Sequence, residues 1–449
     1  MEVRGPITIL GGGMAGLSAA YFAHKKGHAI SLYEAKDRLG GLCITMAKGD
    51  FAFDSGAHRF HDKDPSATQV VKDLLGDRLR RVRRPSHIFF RGRFVDFPLS
   101  PLNLLRSMGL PAFCRAGVEV LVRRLAKAPE IRDFYAFAVH TYGPTVAGSF
   151  LLNYSKKLWG RDCHDLSPAI AGSRLKGLTL KTVLKEALFG QHAKTEHLDG
   201  AFFYPDQGIG AVADALVAAC PRENLHTGYR VRSLFHRQGR IRAISNGNTR
   251  VPIPGSVIST LPVNELVLSL QPAAPEEILQ AARGLTYRHL KLVGFMLSRD
   301  QVSPSATVYF PDKDLPFTRL YEPINRNPLM APKGKTSLVV EVPCGKQDAW
   351  WHKDQDRAVG EIADCLVTLG WIKYADILDG WSCSFENAYP LLERGYETRR
   401  NLTMDYLSGF SNLHLSGRCG TFTYTHMHDM LRRARQIVCN LQANHQESA

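Results

Sequence analysis

The segment Ile7-Thr-Ile-Leu10-Gly11-Gly-Gly13-Met14-Ala15-Gly16 constrains this chain more than any other. A short β-branched run meets glycines in the order G-x-G-x-x-G. A helix-favouring stretch follows (Leu17-Ser-Ala-Ala-Tyr-Phe-Ala), then a second strand-like run, Ala29-Ile-Ser-Leu-Tyr-Glu34, which ends on an acid. Alone, the glycine pattern is weak. Between a strand and a helix, with an acid 18 residues beyond Gly16, it predicts a βαβ dinucleotide-binding unit. Gly11 permits the tight turn, Gly13 lets the backbone approach a pyrophosphate, and Gly16 lets helix and strand pack closely. Met14 and Ala15 lie in the first helical turn, whose unpaired N–H groups and positive dipole end suit phosphate. Glu34 can accept both hydroxyls of an adenosine ribose and repels a 2′-phosphate, which disfavours NADP at this site; Ala35 follows it.

At 449 residues the chain has room for two or three folded units. Hydrophobic residues make up 44% and charged residues 22%, a globular composition that excludes disordered and collagen-like classes. No run of ~20 apolar residues is free of Arg, Lys or Asp, so no spanning helix is expected, and the first residues lack a signal-peptide pattern. Nine scattered cysteines without a C-x-x-C pair predict free thiols in a reducing, cytoplasmic setting. The net charge of +15 favours an acidic partner. Arg78, Arg80, Arg81, Arg83, Arg84, Arg91 and Arg93 fall within sixteen residues that contain no acid, and Arg115, Arg123, Arg124 and Lys127 form a second basic stretch. No nucleic-acid module accompanies them, so nucleic acid is not expected as a partner. A solvated basic face ranks first, an anionic-substrate funnel second, and a membrane-surface contact third, the last through an amphipathic helix over Leu102–Ala126.

Beyond the first unit, helices are expected around 102–160, 178–195 and Gly208–Cys220. A hairpin is expected at Arg230–His236 and Arg240–Ser245, closed by Gln238-Gly239. Strands are expected at Phe202–Tyr204, Val257–Leu261, Phe295–Ser298, Thr307–Phe310, Ser337–Val342 and Leu413–Gly417, and a terminal helix at Thr425–Leu441. The expected fold is α/β. A discontinuous nucleotide domain (1–62, 200–265, 405–449) carries a helical insertion (63–199) and a mixed-sheet substrate domain (266–404). Gly208-Ile-Gly210 lacks a third glycine at the right offset, so no separate NAD(P)H domain is expected.

FAD or NAD could occupy the first motif. Glu34-Ala35-Lys-Asp-Arg38-Leu-Gly40-Gly41-Leu42, with a basic residue before paired glycines, resembles the glutathione-reductase-like FAD fold of the amine oxidase, protoporphyrinogen oxidase and UDP-galactopyranose mutase group. Gly417-Arg418-Cys-Gly420 resembles that group's second flavin-contacting segment, and Val257-Ile-Ser-Thr-Leu-Pro262 fits as well. Several pieces lean to the mutase branch. They are Gly56-Ala-His58-Arg-Phe-His61, the strand pair in Phe90–Leu99, Lys157-Leu-Trp159-Gly160, Arg174 six residues after Pro168, Tyr287-Arg288, Leu315-Pro-Phe317-Thr-Arg319 and Gly417–Tyr424. Three departures stand out: Phe317 replaces a tyrosine, Thr423 an arginine, and Thr425-His426-Met427-His428-Asp429 the family's final M-D step.

The resemblance implies noncovalent FAD, active when reduced, with NAD(P)H as one external reductant. It implies cofactor contacts at Gly11, Gly13, Met14, Ala15, Gly16, Glu34, Ala35, Arg38, Gly40, Gly41, Leu42, His58, Val231, Gly417, Arg418 and Met427. His58 and His61 would lie beside the flavin edge as polar or proton-handling groups; no further ligands at suitable spacing support a metal there. Arg174 and Arg288 would clamp a diphosphate through bidentate hydrogen bonds. Trp159, Phe317 and Tyr424 would line the substrate pocket. The expected partner is an anionic nucleotide-linked sugar whose ring is isomerised with reduced flavin as nucleophile. The alternative is an oxidase or desaturase using hydride transfer. Oligomeric state is left open by these residues.

Overall fold

The computed structural model describes residues 4–97, 99–125, 130–172 and 201–446. Its first sheet is five-stranded and wholly parallel, in the order Leu413–Leu415, Ser256–Ser259, β1 (Arg4–Leu10), β2 (His28–Tyr33), Leu225–His226. β1 sits at the centre because its second half, Ile7–Leu10, is buried and apolar but for Thr8: Ile9 and Leu10 are fully buried, and Ile9 pairs with Ile258 on one side and Leu32 on the other. Parallel strands covered on both faces require such continuous runs. The helix α1 (Met14–Lys25) is buried from Met14 through Tyr21. Its Ala15, Gly16, Ala19, Ala20 and Ala23 let it lie close on the sheet, where it packs with the terminal helix Met427–Gln446. The sheet thus draws strands from the start, middle and end of the chain.

The second sheet is seven-stranded and mixed. Its order is Ile377–Pro390, Tyr287–Leu297, Thr336–Cys344, Arg319–Tyr321, Thr307–Tyr309, Ser86–Phe90, Arg93–Phe97. Every residue of Tyr287–Leu297 is buried, and alternate side chains serve two cores. Val293, Phe295 and Leu297 pack beneath the helix Gln355–Thr368, whereas Leu290, Leu292 and Met296 face Trp159, Phe53 and Tyr389. The strand pair expected around Phe90–Leu99 forms as Ser86–Phe90 and Arg93–Phe97, a hairpin on this sheet's edge inside the segment otherwise expected as a helical insertion; Arg91 (φ 50°) and Gly92 (φ 75°) close it. The fourteen-residue strand Ile377–Pro390 was not anticipated, because Asp379, Gly380, Ser382 and Asn387 interrupt its pattern.

The expected hairpin forms at Ser233–Arg237 and Arg240–Ser245, with Gln238 and Gly239 both at positive φ. Helices occupy Pro101–Met108, Leu110–Leu125, Phe134–Val146 and Asn153–Trp159. The helix expected around 178–195 lies outside the described residues. No helix among the described residues is long and apolar enough to cross a membrane, and all nine cysteines are unpaired.

Candidate functional site

One cavity of about 1460 Å³ runs between the two sheets. At one end it is walled by Gly11, Gly13, Met14 and Ala15, where β1 turns into α1. Gly11 holds φ +97°, and no side chain caps the helix at Gly13, so its first N–H groups remain available to an anion. Gly16 is outside the lining; a Cβ there would stand 1.9 Å from the Gly11 carbonyl oxygen, so it serves the close packing of helix on turn. Glu34 lines the cavity at the end of β2. Backbone N–H groups aim its carboxylate: Gly12 donates to Oε2 at 2.6 Å and Lys36 to Oε1 at 2.9 Å. Ala35, Gly41, Leu42, Val231, Gly417, Arg418 and Met427 also line the space. Gly40 sits just behind, bridged to Gly13. Arg38 does not reach the cavity: it is exposed, and its Nη2 donates to the Thr45 carbonyl at 2.8 Å. Its expected cofactor contact is therefore corrected.

His58, His61, Trp159 and Tyr424 line the middle of the cavity. His58 Nδ1 and Arg418 Nε are buried with no protein partner, while Arg418 Nη1 and Nη2 donate to the carbonyls of Ala388 at 2.8 Å and Thr425 at 3.0 Å. Burial, then the positive charges of Arg418, Arg319 and Arg326, push the His58 imidazole down to about 3. His58 is therefore a neutral ring at physiological pH, suited to hydrogen bonding and not to donating a proton as imidazolium. Because its folded pKa lies below the ordinary value of ~6.5, acid favours the unfolded, protonated ring. Stability should fall as pH drops from about 6.5 toward 3, at up to ~1.4 kcal/mol per pH unit. Thermal unfolding across that window should show a shallower slope for His58→Gln than for the native chain.

The arginine expectation is revised. Arg288 is buried and turned away from the cavity. Its Nε donates to Leu158 O at 3.2 Å, its Nη2 to Pro343 O at 3.1 Å, and its Nη1 to Asp348 Oδ2 at 3.0 Å. A guanidinium with every arm engaged by protein cannot also clamp a diphosphate. Arg288→Ala should therefore lower stability by ~1–3 kcal/mol by stranding buried acceptors; the binding of nucleoside diphosphate, measured calorimetrically, should not change. Arg174 lies outside the described residues. Phe317 is likewise corrected: it is fully buried among Val293, Phe310 and Leu320, on the far face of the sheet. Its carbonyl matters more than its ring, since Lys157 Nζ donates to the carbonyls of Phe310 and Phe317, each at 2.8 Å. Burial lowers that lysine to about 8. None of the seven arginines at 78–93 lines the cavity, and all are exposed, as a solvated face requires.

What sequence reading passed over is a buried cationic wall. Arg319, quoted only as the end of a motif, pairs through Nε with Glu341 and donates from Nη2 to the Tyr389 hydroxyl at 2.9 Å. Burial opposes its charge, but Glu341 together with Tyr389, Tyr154 and Tyr309 outweighs that and holds the guanidinium protonated well above its usual range. Arg418 lies 4.6 Å from the Tyr424 ring centroid and 5.6 Å from that of Tyr389, two rings stacked 6.0 Å apart. Among the described lining residues the cations Lys36, Arg59, Lys63, Arg230, Arg319, Arg400 and Arg418 outnumber Glu34, Glu265, Glu386 and Asp429. The far arm is apolar and aromatic: Ile88, Phe97, Leu99, Phe134, Phe150, Leu151, Tyr154 and Tyr309. No group of three or more metal-ligating side chains occurs among the described residues.

Residues 14–440 match the family model of flavin containing amine oxidoreductases. The chain belongs to this family. It is accordingly an FAD-dependent enzyme, and its glycine turn, Glu34 and the Gly417 segment suit that cofactor. Among sequence relatives, protoporphyrinogen oxidase 1 of Spinacia oleracea is 26% identical over 39% of this chain and 34% of its own length. Protoporphyrinogen oxidase 1 of Arabidopsis thaliana is 33% identical over 25% of this chain and 23% of its own. The chain thus spans about a third or less of the curated relatives it matches. Solved structures match far more of it. Reduced UDP-galactopyranose mutase superposes with a TM-score of 0.85 at 20% identity, over 98% of this chain and 95% of that one. Cyclohexylamine oxidase from Brevibacterium oxydans gives 0.69 at 14% identity, over 98% and 99%. These likenesses establish the fold: the α/β architecture of FAD-dependent oxidases and mutases.

Proposed function

We infer that this flavoenzyme oxidises a neutral or anionic organic substrate with an apolar portion, by hydride transfer. The observation that carries this reading is the wall itself. Arg418, beside the Tyr389–Tyr424 pair, places fixed positive charge where a substrate would meet the cofactor, and Arg319, neutralised by Glu341, holds the Tyr389 hydroxyl. A protonated amine there would suffer like-charge repulsion in a medium of reduced dielectric, so amines are disfavoured. Bound FAD supplies a two-electron acceptor. The protein's residues do the rest. The Gly11–Gly16 turn and Glu34 hold the dinucleotide, the aromatic arm takes the apolar part of the substrate and excludes water, and the positive charge of Arg418, fixed by its bonds to the Ala388 and Thr425 carbonyls, favours an anionic or carbonyl group nearby. His58 offers a neutral ring nitrogen for a hydrogen bond.

Ring isomerisation of a nucleotide-linked sugar is the second reading. The full-length likeness to the mutase fold and the cationic wall favour it; the engagement of Arg288 by protein groups weighs against it. Anaerobic mixing with candidate substrates separates the two. Under the first reading, a neutral or anionic substrate bleaches the oxidised flavin and oxygen restores its colour, one oxygen consumed per product. Turnover that demands prior dithionite reduction, consumes no acceptor and fails with oxidised enzyme would replace oxidation with isomerisation.

A further inference from the structure

The helix Leu110–Leu125 is amphipathic in the wrong sense for a helix facing water. Leu110, Val118, Leu121, Val122 and Leu125 are 58–83% exposed, and Val118, Leu121 and Leu125 recur at three- and four-residue spacing on its outer face. Two of its polar residues turn inward. Glu119 accepts from the backbone N–H of Thr145 at 2.9 Å and from its hydroxyl at 2.7 Å, and Arg123 donates to the Val139 carbonyl at 2.7 Å. Ala116 is the buried contact on that inner side. The preceding helix, Pro101–Met108, continues the pattern with Leu102 and Arg106 exposed. A contiguous apolar face on a monomer marks a contact surface.

The charge of that face identifies what covers it. Glu119 is the only acid in residues 102–125, and it is held against Thr145. Exposed Arg115 pairs with that Glu119 at 3.0 Å, exposed Arg106 borders the stripe, and the four arginines of this stretch (Arg106, Arg115, Arg123, Arg124) against the one glutamate leave it positively charged. Apolar side chains on a stretch where arginines outnumber acids, with exposed Asp96 held by Asn103 at 3.0 Å, suit the headgroup boundary of an anionic bilayer. The position also has a functional sense. The inner sides of these helices pack, through Leu104, Met108 and Ala116, into the cluster of Ile88, Phe97, Leu99 and Phe150 that walls the cavity's apolar arm.

We propose that the outer face of the helices Pro101–Met108 and Leu110–Leu125 seats the protein on an anionic lipid surface, with the apolar arm of its cavity directly behind that contact. The proposal is independent of which reaction the flavin performs, since binding is measured without substrate. The full-length holoprotein should float with vesicles of phosphatidylcholine and phosphatidylglycerol but not with phosphatidylcholine alone, and high salt should weaken the association. Val118→Glu/Leu121→Glu replaces two exposed residues and should leave flavin content and melting temperature intact. It should reduce partition by about tenfold or more, from ~1.5 kcal/mol lost per buried aliphatic side chain. Leu121→Phe should bind as the native chain does. Failure to float with anionic vesicles, or equal flotation of the Glu variant, would overturn the proposal. A dimer in solution that the Glu variant converts to monomer would overturn it too, by assigning the face to a second copy.

Discussion

Gly13→Val should give a protein that folds but carries no flavin. A Cβ at Gly13 meets only the Gly41 Cα, at 3.8 Å, an ordinary contact. Its backbone (φ −76°, ψ −178°) is one any residue adopts. The rest of a valine side chain would stand over the uncapped N-terminus of α1, in the space a pyrophosphate needs. Gly16→Val is the contrasting control. There the added Cβ would lie 1.9 Å from the Gly11 carbonyl oxygen and 3.4 Å from Ile9 Cγ2, so strand and helix must separate and the domain should not fold. Flavin absorbance per mole of protein and far-UV circular dichroism separate the outcomes. Native dichroism without flavin is expected for Gly13→Val, and loss of both for Gly16→Val. Full flavin content in Gly13→Val would move the cofactor away from this turn.

The contrast also shows which parts of the site were legible in the sequence. The glycine turn, Glu34 and the Gln238-Gly239 and Arg91-Gly92 hairpins are local: each is fixed by residues a few positions apart, and backbone conformation follows from residue type. Arg288 is different. In a strand, successive side chains point to opposite faces, so Tyr287 and Arg288 must part company. Tyr287 bonds Val263 N and Cys419 O on the nucleotide side, while Arg288 turns to Asp348, sixty residues away. Only the pairing of Tyr287–Leu297 with its two neighbours decides which residue faces the cavity, and a motif position does not contain that pairing. Phe317 fails for the same reason, since its motif place is kept by a backbone carbonyl and not by its ring. Glu341 carried a signal that went unread. A single acid inside Ser337-Leu-Val-Val-Glu-Val, a run expected to be a buried strand, requires a buried cation, and Arg319 supplies it.

That ion pair yields the second large effect. Glu341 is 1% exposed, and its two oxygens have separate donors: Oε1 accepts the Ala57 N–H at 2.6 Å, and Oε2 accepts Arg319 Nε. Glutamine offers one acceptor. In Glu341→Gln, either Ala57 or Arg319 must face an NH₂ group, and the guanidinium stays charged inside the protein without a counter-ion. Removing one partner of a buried pair costs ~3–5 kcal/mol, and urea unfolding should show a loss of that size. Arg319→Met/Glu341→Gln removes the stranded charge and leaves the amide oxygen for Ala57, so it should recover most of the lost stability. It should not recover activity, because the Tyr389 hydroxyl then loses its donor. If the single variant loses less than ~1 kcal/mol, the guanidinium is not confined beside Glu341, and Arg319 is free to move with the substrate instead of forming a rigid wall for it.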